Sequence, residues 1–239
     1  MNPATELWVY LSASPLLWLT VTLVAYVIGD RISARFHRHP LANPVVTAVA
    51  LIIILLQLTG TSFDTYFEGA QFVHFLLGSA TVALAIPLVE NWSRVRRAAV
   101  PILLALAAGS ITAVATAVGI AALLGAPQQV IASIAPKSVT APIAMGIAEQ
   151  FGGIPTLAAV LVIFTGLIGS ISVTPLMNLM RIRDYAARGF AVGIAAHGMG
   201  TARAFQVNAL AGTFAGIGMG LNGVITALLV PLLARLFGG

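Results

Sequence analysis

A lysine stands in the middle of an apolar segment, directly after a proline. Lys137 follows Pro136 and precedes two hydroxyl residues, Ser138 and Thr140, in the stretch SIAPKSVTAPIAMGIAEQFGGIP. A helix that breaks at a proline frees backbone N–H and C=O groups, and a half-helix that follows points its positive end at the break. An ammonium, hydroxyls and free amides together suit a small anion. The alternative is that Lys137 only extends its charge to the membrane surface.

A second polar group lies further along the chain, in the stretch HGMGTARAF. Gly198 and Gly200 let backbone approach closely and allow a helix to break. Arg203 can bind a carboxylate through two hydrogen bonds, and Thr201 repeats the Thr-Ala dipeptide of the first segment. The alternative is that Arg203 makes a structural pairing with a helix C-terminus or with Glu149.

Two further ionisable residues could carry a coupled proton. His197 would titrate near neutral pH, and Glu149 ends the segment that holds the lysine. Equally, His197 could be a hydrogen-bonded packing residue and Glu149 an interfacial charge. The sequence contains no cysteine and none of the H-E-x-x-H, G-x-S-x-G and Walker A motifs. We therefore expect no enzymatic activity, no metal site and no cofactor.

These ionisable residues are unusual because the whole chain is very apolar. Of its 239 residues, 59% are hydrophobic and only 8% are charged, whereas a soluble domain carries roughly 25% charged residues. One soluble core could not bury this much apolar surface, so the composition indicates an integral membrane protein. The net charge of +5 does not indicate nucleic acid binding, because the basic residues lie at the ends of apolar runs, as they do in membrane-protein loops.

The apolar runs predict an all-α polytopic membrane protein with about eight hydrophobic segments in a single domain over residues 1–239. Each run is close to the ~20 residues that a helix needs to cross the hydrocarbon core. Helices are favoured because lipid offers no hydrogen-bond partners for backbone groups. The predicted segments are residues 7–28, 43–60, 69–89, 98–124, 128–149, 154–180, 186–205 and 210–237.

The charges between the segments predict which ends face the cytoplasm. The loops 30–42 and 90–97 each carry three arginines, whereas the loop 61–68 carries only Asp64 and Glu68. By the positive-inside rule, the two basic loops are cytoplasmic and the N-terminus is outside. Simple alternation of crossings then places the arginine-rich stretch RIRDYAAR outside, against the same rule.

One element between residues 125 and 180 must therefore contribute an even number of crossings. The segment that holds the lysine is the best candidate, because Pro136 and Pro142 disrupt helical hydrogen bonding and Gly152–Gly153 loosens its far end. We predict that residues 128–150 form either a re-entrant element or a broken helix that still crosses.

An internal similarity also involves this segment. The stretch GSATVALAIPLVEN, residues 78–91, resembles KSVTAPIAMGIAEQ, residues 137–150, at serine, threonine, alanine and glutamate positions. Repeats with helices interrupted in corresponding places are typical of transporters and mark the binding site. The sequence thus predicts a transporter-like architecture with inverted internal repeats.

Four stretches carry a resemblance to a known family: NPVVTAVALIIILLQLTGTSFDTYFEGAQFVHFLLGSATVALAIPL, APKSVTAPIAMGIAEQFGGIP, HGMGTARA and LNGVITALLVPLL. Over nearly its whole length, the chain resembles the LrgB family, also named CidB-like or antiholin-like membrane proteins. The plastid glycolate/glycerate transporter of plants contains a similar domain. Family members often have acidic residues after GTARA, where this chain reads FQVNALAGTF, so a coupling role of those acids does not carry over.

The resemblance implies two functions for a multi-pass protein of the bacterial cytoplasmic membrane. The plant relative implies transport of small hydroxycarboxylates, and bacterial members are also linked to pyruvate or acetate. Other bacterial members imply an antiholin-like modulator of murein hydrolase export and cell lysis that acts with a holin-like partner of the LrgA or CidA type. The broken segments favour transport of a small carboxylate anion by alternating access, because a hole-forming protein does not need them. A dimer is expected from other repeat-built transporters.

Overall fold

Helices make up most of the described part of the chain, which confirms the prediction of an all-α protein. The structure, a computed structural model, describes residues 14–39, 42–83 and 85–237, and these ranges contain α-helices and no strand. The helices found there are α1 (Pro15–Arg35), α2 (Pro44–Thr59), α3 (Phe63–Ala83), α4 (Ala85–Glu90), α5 (Trp92–Arg97), α6 (Ala99–Leu123), α7 (Gln128–Ile134), α8 (Ala141–Gln150), α9 (Pro155–Leu179), α10 (Tyr185–Val207) and α11 (Ala209–Phe237).

Four helices of the described ranges are long and apolar enough to cross a membrane, namely α1, α6, α9 and the Ala209–Leu232 part of α11. Helix α2 is apolar but shorter. These helices fall largely within the predicted segments, as expected when hydropathy sets the length of a span. The first predicted segment begins at residue 7, and its residues 7–13 lie outside the described part of the chain.

Two predicted loops are largely helical, which corrects their boundaries. Helix α3 already includes Asp64 and Glu68, and the Ser62 hydroxyl accepts a hydrogen bond from the backbone N–H of Thr65 at 3.2 Å. That bond satisfies one of the free donors in the first turn, so the helix begins before its apolar part does. Most of the predicted loop 90–97 is helix α5, which carries the three arginines.

The chain divides after residue 85 into two compact units. In the first unit, α1 packs on α2 and on α3. The Trp18 ring is fully buried and meets Tyr66 edge-on, with ring centroids 6.0 Å apart. Gly29 brings α1 close to α2, since a methyl group there would lie 2.5 Å from the carbonyl oxygen of Pro44. Close backbone approach at small residues is the usual way in which membrane helices pack.

In the second unit, the segment with the lysine folds back on itself. Helices α7 and α8 are separated by the non-helical residues 135–140. The N–H of Ile154 donates a hydrogen bond to the Ser133 hydroxyl at 2.8 Å, although 21 residues separate them, and Gly153 lies against the backbone of Ser133. A continuous helix would hold these residues about 30 Å apart. Helices α7 and α8 therefore form a helical hairpin, which we name hairpin 1, with residues 135–140 as its tip.

Helix α10 is folded back in the same way. Its backbone leaves helical geometry at Ala196–His197, where His197 has φ of 41° and ψ of −136°. A Cβ atom on Gly200 would lie 2.9 Å from the carbonyl oxygen of Val192. Eight residues of straight helix span about 12 Å, so the chain reverses between them. We name this element hairpin 2, with Ala196–His197 as its tip.

The first arm of hairpin 2, residues 185–195, runs parallel to α11. Gly189 lies against the carbonyl group of Ala211, and Gly193 lies against that of Ala215. The two contacts advance together along both helices, which defines the parallel direction. The glycines are required here because any side chain would overlap the backbone of α11.

The second arm, residues 198–207, runs in the opposite direction along α11. Phe205 lies against Gly212, whereas Thr201, four residues nearer the tip, lies 3.9 Å from the sulfur of Met219. Towards the tip, residue numbers therefore fall along the arm and rise along α11, so the two helices are antiparallel. Both arms of hairpin 2 therefore pack on the same long helix, and the chain enters α11 from the side at which hairpin 2 began.

Candidate functional site

A cavity of about 760 Å³ lies in the second unit, between α6 and the first arm of hairpin 2. Alanine is the commonest of its lining residues, eight of eighteen, so much of the space remains because the side chains are short. The lining residues are Ala98, Pro101, Ile102, Ala105, Ala108, Gly109, Thr112, Ala113, Lys137, Ser138, Asp184, Ala186, Ala187, Phe190, Ala191, Ile194, Ala195 and Phe214.

The cavity runs from one end of the unit to about the middle of α6. Ala98 and the exposed Asp184 directly precede the first turns of α6 and α10 and lie at its mouth. Ala113 lies about 22 Å further along α6 than Ala98, at 1.5 Å per residue. Lys137 and Ser138, from the tip of hairpin 1, line the end away from Ala98, since Asn222 joins Ser138 to Ser110 of α6. We call this end the floor. Along α6 the cavity is also open to the side, where Thr112 and three other lining residues are exposed.

The floor combines a positive charge with a hydroxyl group. The ammonium of Lys137 donates a hydrogen bond to the Ser138 hydroxyl at 3.1 Å. Among the described residues that line the cavity, Lys137 is the one cation, and the one carboxylate is Asp184 at the mouth. An apolar wall solvates charge poorly, so the charge of Lys137 acts more strongly here than it would in water. The arrangement suits a small anion.

Directly behind the floor, the side chain of Asn222 joins three elements. Its amide nitrogen donates to the carbonyl oxygens of Ser138, in the tip of hairpin 1, and of Ile194, in the first arm of hairpin 2, each at 3.1 Å. Its amide oxygen accepts a hydrogen bond from Ser110 of α6 at 2.6 Å and a longer one from Thr226 at 3.4 Å. The two interrupted elements therefore meet at one buried side chain in the middle of the unit.

The tip of hairpin 2 is held against α9 by His197. Its Nε2 atom lies 2.9 Å from the carbonyl oxygen of Val162 and donates to it, because a carbonyl can only accept. The Thr201 hydroxyl in turn donates to the carbonyl oxygen of His197 at 2.9 Å. The ring lies over Gly166, where a Cβ atom would come within 2.6 Å of Cε1. The positive φ of His197 is thus supported by two hydrogen bonds, one from its ring to Val162 and one from Thr201 to its carbonyl oxygen.

Of the five predicted substrate-binding residues, the structure brings two together in the cavity, Lys137 and Ser138. Thr140 is the half-buried residue before α8, and its side chain makes no capping bond. Thr201 is buried in the second arm of hairpin 2, and Arg203 is half-buried in the same arm. These three are not among the residues that line the cavity in this conformation.

The two predicted coupling residues lie in different surroundings. His197 is buried at the tip of hairpin 2. Glu149 is exposed at the end of α8, far along the helix from the floor. Neither side chain lines the cavity.

The predicted helix-breaking residues differ in position. Pro136 lies buried in the tip of hairpin 1, whereas Pro142 lies in the first turn of α8, where its missing N–H removes no helical bond. Gly198 and Gly200 directly follow the reversal at the tip of hairpin 2. Gly200 packs tightly on the first arm, which only a residue without a side chain allows.

The sequence reasoning missed Asn222 and Ser110 as site residues. The available signal was weak: an amide in the apolar run GMGLNGVIT and a serine in a small-residue stretch. Asparagine in a membrane helix commonly bonds a neighbouring helix, and the sequence alone does not reveal which one.

Comparison with known proteins places nearly the whole chain among one group of sequences. Residues 22–236 match the LrgB-like family. The holin-like protein CidB of Staphylococcus epidermidis is 31% identical over 228 residues, which cover 95% of this chain and 98% of that protein. Protein YwbG of Bacillus subtilis is 34% identical over 215 residues, 90% of this chain and 95% of its own. CidB of Staphylococcus aureus is 31% identical over 222 residues, 93% and 96% of the two chains. No solved structure matches the chain.

Proposed function

Since this chain belongs to the LrgB-like family, whose sequence match spans both of its units, we propose that it carries small monocarboxylate anions across the bacterial cytoplasmic membrane by alternating access. The observation that carries this proposal is the cavity that leads from one end of the second unit to Lys137 and Ser138. A single lysine with a neighbouring hydroxyl matches one carboxylate. The described residues of the lining hold no second cation, which favours monocarboxylates such as glycolate, glycerate or pyruvate.

The arginine-rich stretches indicate the side to which the cavity opens. Helix α5, with its three arginines, directly precedes Ala98 at the mouth. Arg181 and Arg183 are exposed just before Asp184, also at the mouth. By the positive-inside rule this side is cytoplasmic, so the structure is a cytoplasm-open state. Clustered positive charge at an entrance also raises the local concentration of anions.

Both hairpins are proposed to be re-entrant. The arginine-rich stretch before α10 then lies on the cytoplasmic side, as the positive-inside rule requires. Hairpin 1 would enter and leave on the outer side, so α9 returns the chain to the cytoplasm before Arg181. Hairpin 2 would enter and leave on the cytoplasmic side, and α11 would then cross outwards. The fold-back contacts at Ser133 and at Gly200 support this interpretation over a broken helix that crosses.

The same arrangement supports an inverted repeat. Hairpin 1 followed by α9 and hairpin 2 followed by α11 are equivalent units that would enter the membrane from opposite sides, as in repeat-built transporters. The similarity between residues 78–91 and residues 137–150 stays a separate prediction, because the side chains of Ser79 and Thr81 lie outside what the structure describes.

The remaining candidate residues have a place in this mechanism in the opposite state. Movement of one hairpin against the other would bring Thr140, Thr201 or Arg203 to the anion as the floor opens outwards. His197, which links hairpin 2 to α9, remains the candidate for a coupled proton, and Glu149 would act only at the outer surface. Each role is part of the proposal.

Uptake by proteoliposomes tests the function directly. Purified protein is reconstituted and offered labelled glycolate or pyruvate, and the Lys137→Ala and Arg203→Ala variants are compared with the native chain. We expect saturable uptake that Lys137→Ala abolishes. Full uptake by both variants would contradict the assigned site, and no uptake of any monocarboxylate by the native protein would contradict the function.

The names of the relatives favour a second function. Two of the similar proteins are named holin-like protein CidB, and those names bear on an antiholin-like role in murein hydrolase export and lysis more directly than on transport. In this case the chain would act with a small holin-like partner of the LrgA or CidA type. Co-purification with such a partner, combined with the absence of carboxylate uptake, would favour this second function.

A further inference from the structure

The interrupted helices at the proposed floor contain two kinds of backbone group that affect an anion in opposite ways. At the tip of a hairpin the helical ladder is interrupted, so N–H groups that attract an anion and carbonyl oxygens that repel it are both released. Ser138 and Ile194 both line the cavity, and each would contribute a carbonyl oxygen near the floor. A site built from broken helices therefore selects anions only if these oxygens are bonded elsewhere.

We propose that Asn222 is a positioning residue that makes the floor selective for anions by bonding the carbonyl oxygens of Ser138 and Ile194. Both bonds come from the same amide nitrogen, at 3.1 Å. They hold the two carbonyl groups behind the floor and leave the ammonium and hydroxyl of the tip to face the cavity. This inference rests on the proposed anion site, and Asn222 itself is 1% exposed and acts through the tip.

The chemistry of the surrounding groups requires an amide at this position. Two backbone carbonyls can only accept, so the nitrogen of Asn222 must face them. The amide oxygen then faces the hydroxyls of Ser110 and Thr226, which can donate. Two donors and two acceptors are thus all used. The two carbonyl groups fix the orientation of the amide, because a hydroxyl could also accept from its nitrogen whereas a carbonyl cannot donate to its oxygen. A carboxylate would have no N–H for the carbonyls, and an aliphatic side chain would bond none of the four groups.

A single cysteine in the cavity can report the charge preference of the floor without any substrate. The native chain contains no cysteine, and Thr112 lines the cavity on α6. In purified Thr112→Cys protein, the rates of reaction with an anionic and a cationic methanethiosulfonate of similar size are measured, and their ratio is compared with that of a free thiol. The ratio is then measured with Lys137→Gln, Asn222→Leu and Asn222→Asp added to Thr112→Cys.

Ser170→Ala is the matched control, because it removes a buried hydroxyl that does not bond the floor. Ser170 is 1% exposed, but its hydroxyl bonds Leu167 within its own helix at 2.9 Å. Ser110→Ala is its counterpart, because the Ser110 bond connects α6 with α11. Size-exclusion elution and the unfolding temperature show whether each variant is folded, and Ser110→Ala keeps the proposal testable if the Asn222 variants are not.

We expect the native protein to favour the anionic reagent and Lys137→Gln to lower the ratio about tenfold, as for one partly screened unit charge. Asn222→Leu and Ser110→Ala should lower it several-fold, Asn222→Asp should lower it further, and Ser170→Ala should leave it unchanged. An unchanged ratio in folded Asn222→Leu and Ser110→Ala would overturn the proposal. A decrease confined to Asn222→Asp would also overturn it, since only the added charge would then act. An insensitive Lys137→Gln would contradict the floor itself.

Failure of this inference is distinguishable from failure of the transport function. A ratio that falls in the Asn222 variants, together with no uptake of monocarboxylates, leaves an anion-selective cavity with a different role. Uptake with a normal response to Lys137→Ala, together with an unchanged ratio in the Asn222 variants, leaves a transporter in which Asn222 only joins helices.

Discussion

Replacing Lys137 by glutamine removes the charge of the floor but keeps a hydrogen-bond donor. An anion that accepts from both the lysine and Ser138, whose hydroxyl lies 3.1 Å from the ammonium, would sit about 4 Å from the charge. At that distance two unit charges attract by about 4 kcal/mol near a protein surface and by about 1 kcal/mol in water. The cavity is open at its mouth, so an intermediate loss of roughly 1.5–3 kcal/mol is expected, which weakens binding about 10- to 150-fold.

Calorimetric titration of purified protein with pyruvate or glycolate measures this loss. Lys137→Arg is the matched control, because it keeps the charge, and we expect it to stay within a few-fold of the native affinity. Added salt should weaken binding to the native protein and have little effect on Lys137→Gln, because screening acts on the charge. If Lys137→Gln bound the anion within threefold of the native chain, with the same salt dependence, the lysine would not face the anion and the proposed site would be wrong.

Three further predictions follow from the geometry. The double variant Ser133→Cys with Gly153→Cys should form a disulfide on mild oxidation, since a Cβ on Gly153 would lie 3.0 Å from the Ser133 hydroxyl and such positions can be bridged. The same Cβ would lie 2.9 Å from the Ser133 nitrogen, so the backbone must shift slightly. A pair of cysteines equally far apart in sequence within the straight helix α9 should stay unlinked, and no cross-link between residues 133 and 153 would argue against hairpin 1. Gly193→Ala should lower the free energy of unfolding in detergent by roughly 2–3 kcal/mol or more, because the new methyl would lie 2.8 Å from the carbonyl carbon of Ala215. The control Gly119→Ala, whose methyl would meet nothing within 4 Å, should be neutral or stabilising. Equal effects of the two substitutions would count against the close packing of hairpin 2 on α11. A cysteine at residue 187, at the mouth of the cavity, should react with an impermeant thiol reagent only from the cytoplasmic side, and labelling from outside would reverse the proposed orientation.

The sequence predicted the chemistry of the tip of hairpin 1 better than that of hairpin 2. Pro136 and Lys137 are visible in the sequence because proline and a charge are both costly in an apolar helix, and the structure places both at the interruption. The reversal in hairpin 2 lies at Ala196–His197, where neither residue type requires one. Flanking glycines permitted it, but the bond of His197 to Val162, from a helix more than thirty residues earlier, supports the strained backbone.

The amino-acid sequence alone determined that this is a helical membrane protein, because hydropathy and the cost of unpaired backbone groups in lipid act on each segment locally. It also determined which segment is interrupted and where the single lysine stands. Only the tertiary structure decided that both interrupted elements fold back, that Lys137 and Ser138 face a cavity while Arg203 does not in this conformation, and that Asn222 connects the two. These features depend on contacts between residues far apart in the chain. The spacing of residues along one segment does not specify which distant carbonyl group a buried amide will bond.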